Sequence, residues 1–156
     1  MFSQEEHLDN LTRHINLVRD NCLLLGKRII ASGQDDFGRL LIARGYVHDQ
    51  SKFFGIEWDY LHVGPEVSSE DLERAVKQHT RTNDHHPEFH GHLSNMPEIA
   101  VAEMVCDWYA RSQEFGTNLC EWIRDQASTR YEFDKAMRQR DWIDRYTKLL
   151  LRSSFK

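Results

Sequence analysis

Nine histidines are the most informative feature of this 156-residue sequence, because five of them lie between positions 79 and 92. Imidazole is a common ligand of transition metals, so a dense histidine segment indicates metal binding. The five residues are His79, His85, His86, His90 and His92. We therefore expect a metal site to draw ligands from this segment.

Candidate ligands also lie well before the histidine segment. His48 and Asp49 are adjacent, and an imidazole and a carboxylate at the start of a helix can both turn towards one cation. His14 borders the apolar stripe of a predicted helix, which directs its side chain to the interior. Each feature alone has an ordinary explanation, either a surface dipeptide or a histidine satisfied within the core. The metal-binding interpretation is favoured only when these features are considered together.

A carboxylate follows on a later predicted helix. Asp107 lies four residues after Glu103 and four before Arg111, so all three share one helix face. A solvated row of charges would have this spacing. A metal-ligating carboxylate would have it equally, and the choice depends on the other ligands.

The ordered series His14, His48-Asp49 and Asp107 resembles the HD superfamily of metal-dependent phosphohydrolases. The resemblance covers most of the chain, from about position 14 to position 111. It implies that these four residues bind one divalent metal inside a helical bundle. Two further blocks, Met104-Val105-Cys106-Asp107-Trp108 and His85-His86-Pro87-Glu88, look like those of an uncharacterised, partly phage-borne branch of that superfamily.

The residues after the doublet extend the resemblance. His48-Asp49-Gln50-Ser51-Lys52 is similar to the HDxGK form of the motif, with serine in place of glycine. By this resemblance Lys52 would contact the substrate phosphate, a role that suits a compact point charge. His79 and one of His85 or His86 would bind a second metal, because neighbouring side chains on a loop rarely face the same centre.

The function implied by the resemblance is metal-dependent hydrolysis of a phosphate ester or anhydride, most naturally of a (deoxy)nucleotide, by a metal-activated water. Mixed imidazole and carboxylate ligands favour one or two ions of Mn, Fe, Co, Ni or Zn, with Mg also compatible. The resemblance assigns catalytic roles to Asp49, Lys52 and His79. It assigns substrate binding to Lys52, Arg81, His86, His90 and Arg111.

Two alternatives stay open. Some HD proteins use a similar ligand set for two irons that activate oxygen, and a helical bundle with an idle metal site could be a non-catalytic binding module. Two departures also limit the resemblance. Lys52 stands where nucleotidase branches often have glutamate, and the gap between His79 and His85 is short for the signalling phosphodiesterases.

Composition restricts the other classes of function. The net charge of −5 argues against stable nucleic-acid binding, which needs clustered positive charge. Three scattered cysteines indicate neither a disulfide framework nor a thiolate zinc site, and no apolar run approaches membrane-spanning length, so a cytoplasmic protein is expected. The length predicts a single HD-like domain over residues 1–156. The resemblance is compatible with a homodimer, although no surface indicates an interface.

The elements that must position the candidate ligands are helices, and an all-α bundle of about six to seven helices is predicted. The first helix follows a capping box of Ser3 and Glu6. Its apolar stripe comprises Leu8, Leu11, Ile15, Val18, Cys22, Leu25 and Ile29. A second helix is predicted over residues 35–44 with Gly45 as its terminator, and a third from His48 towards Tyr60.

Helix-breaking residues divide the second half of the sequence. Val63-Gly64-Pro65 predicts a break, and Ser68 or Ser69 would cap a fourth helix that ends near Thr80. Residues 81–96 predict an ordered loop. Pro97 is expected as the first residue of a fifth helix that ends near Phe115, followed by helices over residues 118–128 and 130–152.

Overall fold

The first helix, α1 (Gln4–Ala31), begins at the predicted capping box. In the computed structural model, which describes residues 3–62 and 66–153, Ser3 Oγ accepts from the Glu6 backbone N–H at 3.1 Å and Glu6 Oε2 accepts from the Ser3 N–H at 3.0 Å. Most of the predicted stripe is buried. Leu8 is an exception at 45% exposure, and Ile15 is only half-buried. The buried members are Leu11, Val18, Cys22, Leu25 and Ile29.

The rest of the described chain is also helical and contains no strand within those two ranges. A π-helical turn (Ile123–Ala127) joins the sixth and seventh helices into one segment, so the predicted all-α class of about seven helices is confirmed. The helices after α1 are α2 (Asp35–Val47), α3 (Gly55–Tyr60), α4 (Ser69–Thr82), α5 (Glu98–Phe115), α6 (Leu119–Trp122), α7 (Ser128–Arg130) and α8 (Met137–Leu151).

Helix α5 is the most buried element, and α1, α2 and α8 pack against it. It follows Pro97, which occupies the N-cap position rather than the predicted first helical position. Its end at Phe115 matches the prediction, and Gly116 supplies the left-handed conformation that ends many helices (φ 65°). Because neighbouring helices cover α5 on several sides, even polar residues of this helix, such as Glu103 and Asp107, are buried.

Gly45 does not end the second helix, contrary to the prediction, because α2 continues to Val47. Its role is packing. A Cβ at this position would lie 2.6 Å from the Cβ of Cys22 on α1, so only glycine allows the two helices to approach this closely. The close approach sets the position of the His48-Asp49 doublet relative to α1.

The predicted third helix starting at His48 is wrong. Asp49 adopts a left-handed conformation (φ 56°), a short 3-10 turn follows at Gln50–Phe53, and α3 begins only at Gly55. The last helix also begins later than predicted, at Met137, after a 3-10 turn at Phe133–Lys135. In both places a non-glycine residue with positive φ, Asp49 or Glu132, interrupts the right-handed helical conformation before the next helix begins.

The fourth helix and the following loop match the prediction more closely. Ser68 is the N-cap of α4 and its Oγ accepts from the Asp71 N–H at 3.1 Å. The loop after α4 is ordered by two 3-10 turns, Pro87–His90 and Leu93–Asn95. The predicted break at Val63-Gly64-Pro65 lies outside the described residues. No helix within residues 3–62 and 66–153 has the length and apolar character that crossing a bilayer requires.

Replacing Gly45 by alanine tests the packing role. Helix propensity alone would make Gly45→Ala stabilising by about 1 kcal/mol, whereas the contact with Cys22 predicts destabilisation of about 1–3 kcal/mol. Urea denaturation followed by circular dichroism measures the difference. Leu40→Ala on the exposed face of α2 is the control and should change stability little. A more stable Gly45→Ala variant would contradict the packing role.

Candidate metal centre

Three helices bring the first group of candidate ligands together in the interior. His14 comes from α1, His48 and Asp49 from the end of α2, and Asp107 from α5. Their ligand atoms all lie within 4.8 Å of one another, and all four side chains are buried. The closest pair is His14 Nε2 and Asp107 Oδ1 at 2.9 Å. The convergence predicted for these residues is therefore present in the fold.

A second group of ligand atoms lies beside the first. It consists of Asp49, His79, His85 and His86, whose ligand atoms also lie within 4.8 Å of one another. His79 comes from the buried face of α4, and the other two histidines from the loop after it. His85 and His86 both bring a ligand atom into this group, whereas the sequence predicted that only one of the two would face the centre. The His86 N–H donates to Asn83 O (3.2 Å), and this turn brings the two rings to a centroid distance of 4.3 Å.

Asp49 belongs to both groups, and its two oxygens face different ones. Oδ2 lies 3.2 Å from His48 Nε2 and 3.8 Å from His14 Nε2. Oδ1 lies 3.3 Å from His79 Nε2 and 3.2 Å from His85 Nε2. One buried carboxylate can therefore bridge two cations. Asp49 holds this position with a left-handed backbone conformation (φ 56°), which aspartate tolerates better than most residues.

Carboxylates behind the histidines determine which ring nitrogen faces the centre. His14 Nδ1 donates to Glu114 Oε2 (3.1 Å), His48 Nδ1 to Glu103 Oε1 (2.8 Å), and His79 Nδ1 to Glu57 Oε1 (2.5 Å). His85 Nδ1 lies 3.3 Å from the same Glu103 oxygen. This is the arrangement in which an outer carboxylate fixes the tautomer of a metal-ligating histidine and presents Nε2 to the ion.

The inward-facing nitrogens provide a test of whether a metal ion fits. The Nε2 atoms of His14, His48, His85 and His86 are buried and have no hydrogen-bond partner among the described residues. Buried polar atoms are rarely left unpaired in a folded protein. The lone pair of an unprotonated Nε2 and a carboxylate oxygen repel each other unless a cation lies between them. The donor set therefore fits one or two metal ions.

The protonation states of the histidines support the same conclusion. Burial lowers the pKa of His79 to about 3 and of His86 to about 4, so both rings are neutral, the form that binds metals. Burial also acts on His48 and His85, but nearby Asp49 and Glu103 overcome it. These carboxylates raise the pKa of His48 well above its ordinary value and that of His85 to about 9. The cluster therefore attracts positive charge, which either protons or metal ions can supply.

A cavity of about 370 Å³ opens onto the centre. Lys52, His79, His86 and Asp107 line the side next to the ligands, and Lys52 Nζ lies 2.8 Å from Asp49 Oδ2. The opposite side is largely apolar and aromatic. It includes Leu61, Leu72, Val76, Trp108, Trp122 and Tyr131, with Arg111 and Arg130 adding positive charge.

The predicted substrate-binding residues are only partly brought to this cavity. Lys52, His86 and Arg111 line it. Arg81 is exposed on α4 and is not among the described residues that form its wall. The ring of His90 is likewise not part of that wall, and its Nε2 donates to the Asp84 backbone carbonyl at 2.7 Å. His90 thus braces the loop that carries His85 and His86.

Several residues of the centre lacked a recognisable sequence signal. Glu57, Glu103 and Glu114 are separated along the chain from the histidines that they orient, so no spacing rule connects them. Glu103 and Asp107 were also compatible with a solvated row, but both are buried. The aromatic lining of the cavity includes Trp122 and Tyr131, which no motif identified.

Removing Asp49 should abolish binding of both ions, because its two oxygens face both groups. We expect Asp49→Asn to retain less than about a tenth of the metal that the unmodified chain binds after reconstitution with Co²⁺. Metal analysis after gel filtration measures the content. Asp20→Asn, at an exposed carboxylate on α1, is the matched control and should bind metal normally. Full metal content in Asp49→Asn would contradict the bridging role.

Comparison with known proteins places the chain in a family. No curated protein matches the chain, and no solved structure matches it. A family profile described as "Family of unknown function (DUF5662)" matches residues 3–155. This match spans the candidate ligands and every helix that supplies them. The chain therefore belongs to the DUF5662 family.

Proposed function

We propose that this protein is a metal-dependent phosphohydrolase with a two-metal centre. The observation that carries the proposal is Asp49, a buried carboxylate whose oxygens face two histidine-rich groups beside a cavity with three cationic side chains. The order of the ligands along the chain, which resembles the HD superfamily, supports the same reaction. The matched family is described without an activity, so the function is inferred from the site and from the order of the candidate ligands.

The ligand set limits the metals. His14, His48, Asp49 and Asp107 would hold one ion, and Asp49, His79, His85 and His86 the other. Nitrogen-rich sites with carboxylates favour Mn²⁺, Fe²⁺, Co²⁺, Ni²⁺ or Zn²⁺ over Ca²⁺. Such ions, when bound, supply an acidified water as nucleophile and neutralise charge on the phosphoryl oxygens.

The residues around the centre have separate tasks. Asp49 and His79 would hold the metal ions beside the phosphate group of the substrate, and the Glu57 carboxylate keeps the His79 ring in one orientation. Lys52 is buried next to Asp49, where its ammonium group can bind a non-bridging phosphate oxygen. Arg111 lines the same cavity and donates to Glu114 Oε2 at 3.1 Å, the oxygen that also accepts from His14 Nδ1. The two cations favour an anionic substrate over a neutral one.

The far side of the cavity favours a flat substrate group. Trp108 and Tyr131 are nearly parallel, with an interplanar angle of 16°, and Trp122 meets Trp108 edge to face. Aromatic surfaces of this kind bind nucleobases by stacking, at about 1–3 kcal/mol per base. Arg130, whose guanidinium lies over the Tyr131 ring, adds a positive charge at this wall. We propose a nucleotide as the substrate class.

Phosphate release from a panel of nucleoside mono-, di- and triphosphates tests the function. We expect activity with Mn²⁺ or Co²⁺, background rates for Asp49→Ala, and a loss of about 100-fold in kcat/KM for Lys52→Gln. Lys77→Gln, an exposed lysine on α4, is the control for Lys52 and should retain full activity.

Three outcomes distinguish the alternatives to this function. Equal rates in the parent chain and Asp49→Ala would reject metal-dependent hydrolysis at this centre. Bound iron with a mixed-valence signal and no phosphate release would favour a di-iron oxygenase. Bound metal with no turnover of any nucleotide in the panel would favour a non-catalytic metal-binding module.

A further inference from the structure

A single buried carboxylate contacts one histidine of each metal group. Glu103 Oε1 accepts from His48 Nδ1 at 2.8 Å and lies 3.3 Å from His85 Nδ1. The two rings are 4.3 Å apart between centroids. Glu103 is 4% exposed and lies one helical turn before Asp107 on α5. The residue is thus placed behind both metal groups at once.

Arg44 holds this carboxylate from the opposite side. Its Nε donates to Glu103 Oε2 at 2.6 Å, and its Nη2 pairs with Asp84 Oδ1. Asp84 directly precedes His85, so the same guanidinium also anchors the loop that carries two ligands of the second group. Because Oε2 is engaged by Arg44, Oε1 remains directed at the two imidazoles.

We infer that Arg44 and Glu103 are positioning residues that couple the two metal groups. This inference rests on the metal centre of the proposed function. A fixed Glu103 orients His48 and His85 together, so losing its charge disturbs both groups. Losing Arg44 disturbs mainly the second group, because His85 then loses both the anchored loop and the fixed carboxylate. His48 is still placed by the end of α2, and His14 keeps its own partner, Glu114.

Glu103, His48 and His85 also bring ligand atoms within 4.8 Å of one another, but Glu103 Oε1 accepts from His48 Nδ1 in this group, so we assign Glu103 an orienting role rather than a place among the ligands. Glu103 presents its oxygens to Nδ1 atoms and to a guanidinium, whereas the ligand nitrogens of the two groups are Nε2. A change in metal affinity after substitution therefore reports orientation of the histidines. Outer residues of this kind typically contribute 10–100-fold to metal affinity.

Calorimetric titration of the metal-free chain with Co²⁺ tests the coupling, with the visible absorption of bound Co²⁺ as a second readout. We expect the parent chain to bind two ions. Glu103→Gln should weaken both ions by about 10–100-fold. Arg44→Gln should weaken one ion by a similar factor, change the other by less than about threefold, and alter the spectrum of the weakened site.

Arg28→Gln is the matched control for a structural effect. Arg28 is a partly buried arginine that crosslinks α1 to the backbone carbonyls of Leu149 and Leu150 at 2.8 Å, away from the centre. It should lower the melting temperature and leave both Co²⁺ affinities unchanged. Asp84→Asn, which removes only the loop anchor, should reproduce the selective loss expected for Arg44→Gln.

The outcomes separate this inference from the proposed function. Unchanged Co²⁺ affinities and spectra in Arg44→Gln, with only a lower melting temperature, would overturn the coupling while leaving the metal centre intact. Weakening of a single ion by Glu103→Gln would overturn it in the same way. Failure of the parent chain to bind Co²⁺ would instead reject the metal centre and the proposed function with it.

Discussion

Burial of the Asp49 carboxylate is the constraint on which the arrangement of the centre depends. A carboxylate out of water is strongly unfavourable unless positive charge or hydrogen bonds compensate it. Asp49 is 1% exposed, and its surroundings are four imidazole rings and the Lys52 ammonium. The pKa of Asp49 is well below its ordinary value because, although burial opposes ionisation, His48 and Lys52 favour the charged form. The charge must therefore be balanced from within the cluster.

The helices of the bundle bring residues that are distant in sequence to the buried Asp49 carboxylate, where they balance its charge. The close contact of α1 with α2, made possible by Gly45, sets the distance between His14 and the doublet. The buried position of α5 directs both Asp107 and Glu103 inward. The outer carboxylates hold the histidine rings in one orientation through Nδ1, so the Nε2 atoms face the centre. Packing and electrostatics thus act on the same few side chains.

The candidate ligands could be predicted from sequence because their types and order carry information. His14, His48, Asp49, His79, His85, His86 and Asp107 were all candidates, and the fold brings all seven into the two groups. The apolar stripe of α1 and its capping box also follow from local rules, since a period of three to four residues and a serine before glutamate act within one helix. These features need no knowledge of the rest of the chain.

Only the tertiary structure decided how those candidate ligands are arranged. The left-handed Asp49 has no glycine to signal it, and the turn that directs both His85 and His86 inward depends on Asn83. Gly45 lies within a helix rather than at its end, and its lack of a side chain leaves room for Cys22. Arg44 meets Glu103 across 59 positions of sequence. Residue type and spacing determine what chemistry a chain can support within a helix or a short motif. Contacts between distant elements depend on how the helices pack, and that information is absent from any local pattern.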